Sequence, residues 1–421
     1  MNLLLLACYI VAVSCRSLQL DLHQVSKTPR HHKREIGLPL NHHPIYFGVD
    51  LGFGSRNETL EVNVDTGSSD LWVPDASGVC TPEQQPATRW CPLMGFNWQD
   101  STSFVRTFDW FYRGYGDGTS ARGFIGEDTV WMGDIRVNNT IFAVAYTDND
   151  GGILGLGSPE LETTYASNGT MYENFPQRLK SQGIIDRVLY SVELHRATPA
   201  GTLLFGAVDH KKYVENLVTL PVLPGPGGLR DRFIVQVDSI LLGEDGKIAT
   251  LVSLSCTALL DTGCSHTLIA PHMISKISKL LGGEGDAESG DTANSTLVKD
   301  KKLHITFPGK TIDVPLNLGP ADEDGMSDLY YISQDLSTNF DIIIGQDVLT
   351  QMYLVFDLES LEISVARQST STESDIEVVG ADGKFNKTTT YKRQRGAANP
   401  TKIVSTYLLL LSLFVTLSAC L

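Results

Sequence analysis

One motif occurs twice in this chain, and the recurrence constrains the fold more than any other feature. "VDTGSSDLWV" at 64–73 returns as "LDTGCSHTLI" at 260–269, and each copy is answered downstream by two apolar residues and a glycine, Ile153-Leu154-Gly155 and Ile343-Ile344-Gly345. The similar offsets indicate two lobes of one internal plan, each supplying one Asp-Thr-Gly. A single Asp-Thr-Gly also fits an Asx turn, in which the aspartate bonds its own backbone. Two copies in matching surroundings, with strand-like residues before the aspartate and hydroxyl-bearing residues after it, point instead to a paired site.

The rest of the chain agrees with a mainly β architecture. Runs such as "IYFGVDLGF", "TLEVNVD", "VLYSVEL", "RFIVQVDSILL" and "YLVFDL" alternate with period two and are separated by Gly, Asn or Pro. Helical periodicity is confined to short pieces such as "ENFPQRLKSQG" and "PHMISKISKLLGG". At 421 residues there is length for two core-bearing lobes, and a formal charge of −16 disfavours nucleic acid as a partner, because phosphate binding needs clustered Lys and Arg.

If the lobes pack about a pseudo-twofold axis, Asp65 and Asp261 meet in a cleft between them. Like charges that close do not both ionise, so the pair holds one proton over an acidic range. One aspartate then draws a proton from a water while the other gives one to a peptide carbonyl, hydrolysing the bond without a covalent enzyme adduct. Gly67 and Gly263 let the backbone turn beneath the carboxylates, Thr66 and Thr262 can fix the two turns across the axis, and Ser68 can donate to Asp65. The reaction calls for no cofactor. The pairs His31-His32 and His42-His43 lack metal-ligand spacing, so no metal is expected.

On these residues the chain resembles the pepsin-like aspartic endopeptidases from about Pro44 to Ala366. "DTGSSDLWV" and "LLDTG" are similar to the two active-site motifs, and "GGILGLG" and "IIIGQDVLTQMYLVFD" to the strands threading beneath them. The resemblance implies a bilobal pepsin-like fold, two pseudo-twofold-related β lobes flanking an active-site cleft. It also makes "YGDGTSARGFIGEDTV" a substrate-binding flap with Tyr115 at its tyrosine, Gly116, Asp117 and Gly118 in its turn, and Trp72 as the hydrogen-bonding neighbour. Three positions depart from the family pattern. Cys264 stands where Ser or Thr usually donates to the second aspartate, Gln346 where an Asp is common, and Cys256 lacks a nearby partner.

The two ends suggest export and anchoring. Residues 1–15 read as a signal peptide, and 16–34 as a short propeptide clipped by a processing protease after Lys33-Arg34. Residues 35–213 and 214–367 then form the N- and C-terminal β lobes, 368–396 a polar stalk, and 397–421 a removed GPI-attachment signal with Gly396 as the attachment site. Sequons at Asn57, Asn138, Asn168, Asn294 and Asn386 agree with secretion, and Cys80 and Cys91 flank a Pro-rich loop that they are expected to bridge. These ends make the fungal, GPI-anchored yapsin-like proteases the nearest subgroup in resemblance, which implies cleavage beside Lys or Arg. The expectation is a monomeric, cell-surface aspartic endopeptidase acting on peptides and proteins at acidic pH. The competing reading is a catalytically weak or inactive surface or adhesion protein on the same fold.

Overall fold

The computed structural model describes residues 17–390, apart from 27–44, 79–93, 117–118, 148–150, 196–199, 245–246, 248, 284, 287–289, 317, 320, 334–339 and 387. The first ten strands are β1 (Leu18–Ser26), β2 (Ile45–Phe53), β3 (Glu58–Asp65), β4 (Leu71–Pro74), β5 (Val105–Gly114), β6 (Ser120–Met132), β7 (Ile135–Thr147), β8 (Gly152–Gly155), β9 (Leu189–Leu194) and β10 (Ala200–Phe205). In β3 the alternation does its work: Leu60, Val62 and Val64 are buried while Thr59, Glu61 and Asn63 face the other way.

Strands β2-β3-β8-β4-β7-β6 lie side by side, and β6 returns to pair with β2, so the first lobe closes on itself. Closure satisfies backbone groups that an open edge would expose. The second lobe carries a seven-stranded sheet centred on Ile234–Glu244 and Thr250–Leu260. Beneath both runs a shared layer, in which Tyr213–Pro221, Glu362–Gln368 and Met352–Asp357 continue through β9 and β10 to β1. The layer therefore draws on both halves of the chain, and no sheet boundary falls at 213/214.

The internal repeat appears as repeated strand pairing. β3 pairs in parallel with β8, which pairs antiparallel with β4. In the second lobe Thr250–Leu260 pairs in parallel with Ile342–Ile344, which pairs antiparallel with Leu268–Ile269. The glycine after each apolar pair is where the motif's own chain crosses. A Cβ on Gly155 would lie 2.5 Å from the Ser69 carbonyl carbon, and one on Gly345 would lie 2.6 Å from the His266 oxygen.

The segment expected as a solvated stalk is largely part of the body. Ile376–Val378 pairs with Ala207–Asp209, and Thr388–Thr390 joins the edge of Tyr213–Pro221. Val379 is fully buried among Leu189, Val208, Leu217 and Tyr353. Arg187, itself buried, binds the Asp357 carboxylate at 3.0 Å and donates to the Ala381 carbonyl at 2.9 Å. Polar composition hid this because few apolar side chains dock, Val379 and Phe385, beside backbone pairing and polar bonds between Ser374 and Asp209 and between His210 and Glu377. Within the segment expected as a propeptide, β1 likewise contributes structure, since it lies between β10 and β2.

Candidate active site

The two Asp-Thr-Gly turns meet where the lobes join. The Thr66 amide donates to Thr262 Oγ1 and the Thr262 amide to Thr66 Oγ1, both at 3.0 Å. Each hydroxyl donates onward to the opposite strand, Thr66 to the Leu260 carbonyl at 2.9 Å and Thr262 to the Val64 carbonyl at 2.8 Å. All four bonds cross between the lobes and are buried, so they fix the relative position of the residues on either side. Asp65 lies against Gly263, and Asp261 against Gly67. A Cβ on Gly67 would stand 2.5 Å from Asp261 Oδ2, and a Cβ on Gly263 would collide with Asp65 Oδ1 in the same way.

Each carboxylate is held from below by backbone. The Gly67 amide donates to Asp65 Oδ1 at 2.7 Å, and the Gly263 amide to Asp261 Oδ1 at 2.9 Å. Ser68 Oγ also donates to Asp65 Oδ2. The counterpart of Ser68 is Cys264, whose thiol turns away and donates to the His266 carbonyl at 2.9 Å. Asp261 therefore receives backbone donors, and the Cys264 thiol does not serve it as the Ser68 hydroxyl serves Asp65. Enclosure by protein, reinforced by the Asp65 charge, drives the Asp261 carboxyl well above the usual carboxylate range.

Gln346, just after Gly345, supports the second turn. Its amide nitrogen reaches the Thr262 carbonyl at 2.5 Å, and its backbone N–H donates to the Cys264 carbonyl at 2.8 Å. Cys256 is buried and Cys264 half-buried, and both are free thiols; burial pushes the Cys256 thiol up to about 12.

β5 and β6 form a hairpin that places Tyr115 just beyond Gly114, with the Tyr115 amide donating to the Thr119 carbonyl at 2.9 Å. The fully buried Trp72 donates from Nε1 to the Tyr115 hydroxyl at 2.6 Å. That bond leans the hairpin toward the strand that follows the first motif, and burial with the Asp65 charge raises the phenol far above its ordinary value. Gly116 faces open space, while Asp117 lies outside the described residues.

A buried acidic cluster behind this wall was not foreseen. Asp70 accepts from Thr163 Oγ1 and from the Tyr172 hydroxyl, both at 2.8 Å. Glu162 is fully buried and accepts from the Tyr172 amide at 2.8 Å, while its other oxygen has no hydrogen-bond partner among the described residues. Burial first, and then the neighbouring Asp70 charge, push Glu162 up to about 8. Asp70 follows the first motif directly, but nothing in the sequence shows that Glu162, far along the chain, reaches it.

Cys80, Cys91 and Gly396 lie outside the described residues. Asn57, Asn138 and Asn168 are exposed; Asn294 caps a short helix and Asn386 donates to Glu377 at 2.8 Å.

Residues 46–368 match the family described as "Eukaryotic aspartyl protease". The chain belongs to the pepsin-like aspartic proteases. It is 30% identical to "Secreted aspartic protease 10" of Candida albicans over 88% of this chain and 82% of that protein. It is also 31% identical to "Aspartic proteinase yapsin-3" of Saccharomyces cerevisiae, over 85% of this chain and 73% of the relative. Among solved structures, the aspartic proteinase from Irpex lacteus superposes with a TM-score of 0.66, covering 85% of this chain and 98% of its own at 22% identity, a likeness of fold. The pepsin-like protease fold described above is thus common to this chain and its relatives.

Proposed function

We propose that Asp65 and Asp261 are the catalytic pair of an endopeptidase acting on peptides and proteins at acidic pH. The observation that supports this most directly is the crossed threonine network, which sets each carboxylate over the glycine of the opposite lobe. Enclosure favours the neutral acid at Asp261, while Ser68 and Gly67 donate hydrogen bonds to Asp65. A water bound between them loses a proton to Asp65 as it attacks the peptide carbonyl, and Asp261 donates its proton to the carbonyl oxygen. Tyr115 closes over the substrate from the hairpin, its hydroxyl held by Trp72.

A preference for Lys or Arg beside the cut bond rests on the charge of −16 and on the acidic runs "GGEGDAESGD" and "PADEDGMSD" in the sequence of the second lobe. Export through the signal at 1–15, clipping after Lys33-Arg34, a disulfide between Cys80 and Cys91, glycans on the five sequons and a GPI anchor at Gly396 complete the reading. The Candida albicans relative is named a secreted aspartic protease, in keeping with export. Among the described residues no helix is long and apolar enough to cross a membrane.

The test is incubation of the processed ectodomain with a random peptide library from about pH 3 to 6, with and without a peptide mimic of the tetrahedral state. Inhibitable cleavage, enriched beside basic residues, is expected. No cleavage after verified removal of residues 1–34 would favour the adhesion reading.

A further inference from the structure

Four residues before Asp65 on β3, three side chains from three adjacent strands converge on one face of the sheet. Asp50 on β2 stands directly opposite Glu61 on β3, and His23 on β1 pairs with Gly48, two residues before Asp50. One ligand atom from each of His23, Asp50 and Glu61 lies within 4.8 Å of the other two. Carboxylates directly across from one another repel, so a sheet that places them there is stabilised by positive charge between them. His23 reaches the pair from the neighbouring strand, with Nε2 at 2.5 Å from Glu61 Oε2. Asp50 is exposed and makes no ion pair among the described residues.

We propose that His23, Asp50 and Glu61 bind a divalent transition cation of the Zn²⁺ class. One imidazole nitrogen and two carboxylate oxygens suit such an ion, whereas Ca²⁺ and Mg²⁺ take oxygen donors. The cation takes the place of the proton between His23 and Glu61, which part by roughly half an ångström or more to bind it, and solvent completes the tetrahedron. A supporting contact is already in place. The Tyr46 hydroxyl donates to Glu61 Oε1 at 2.9 Å, turning Oε2 toward His23. Because His23 belongs to β1 and the carboxylates to β2 and β3, the ion ties the N-terminal strand to the first lobe.

Calorimetric titration of Zn²⁺ into the chain retaining residues 16–34, beside its Asp50→Asn and His23→Gln variants, tests this. Asp50 is exposed and Asn has its shape, so that variant folds whether or not a metal binds. The expected result is one Zn²⁺ per chain, an affinity at least about tenfold weaker in each variant, and no comparable binding of Ca²⁺ or Mg²⁺. Equal Zn²⁺ affinity in all three proteins, absence of binding to the unaltered chain, or equally tight Ca²⁺ binding would overturn the proposal.

Discussion

At the scale of single residues, the dyad is asymmetric, and the cause is one atom. Ser68 places a hydroxyl on Asp65, whereas the Cys264 thiol turns to the His266 carbonyl. A hydroxyl at 264 that rotated toward Asp261 would favour its charged form and lower its raised pKa. Cys264→Ser is therefore expected to retain activity and to move the alkaline limb of kcat/KM toward lower pH; an unmoved limb would show that the thiol's orientation is immaterial. Thr66→Ala removes two crossing bonds and strands the Leu260 carbonyl, at a cost of about 1–3 kcal/mol by denaturant unfolding. The roles of Thr66 and Thr262 were legible because a repeated motif names both partners at once. Gln346 was seen as a departure, but its bond to the Thr262 carbonyl depends on a buried rotamer that sequence does not show.

Elements are where composition misled most. Strand periodicity identified the β architecture, since alternating apolar residues and glycine turns are local signals, whereas the hairpin carrying Tyr115 was expected only from the family resemblance. The docked segment 369–386, part of the stalk expected over 368–396, is held by backbone pairing, Val379 and Phe385, polar bonds of Ser374 and Glu377, and Arg187 from elsewhere in the chain. Val379→Asp forces a carboxylate into that apolar cluster and should lower stability by about 2–4 kcal/mol, read as a shift in urea midpoint. An unchanged midpoint would return the segment to the status of a tether. β1 was likewise assigned to a propeptide without any account of where it packs, because sheet neighbours distant in sequence leave no local trace.

At the scale of the whole molecule, two buried carboxyls tie stability to pH. Glu162 and Asp261 both bind protons more tightly folded than the usual carboxylate does. Their contribution is fully present below the ordinary carboxylate range and is lost as pH rises, for Glu162 between about 4.5 and about 8. Glu162→Gln keeps the shape without the charge, so its melting temperature should fall less than wild type between those pH values. Equal slopes would place the alkaline sensitivity elsewhere. The bilobal plan was legible because the second lobe repeats the first, whereas the shared layer beneath both was not, since it is assembled from strands lying outside either motif. The central claim is that one proton is shared between two aspartates from different lobes. The most direct measurement is the pH profile of peptide hydrolysis by the processed protein beside its Asp65→Asn and Asp261→Asn variants. A bell confined to acidic pH, with both variants slower by about a thousandfold or more, is the predicted result; near-normal turnover in either variant would contradict it.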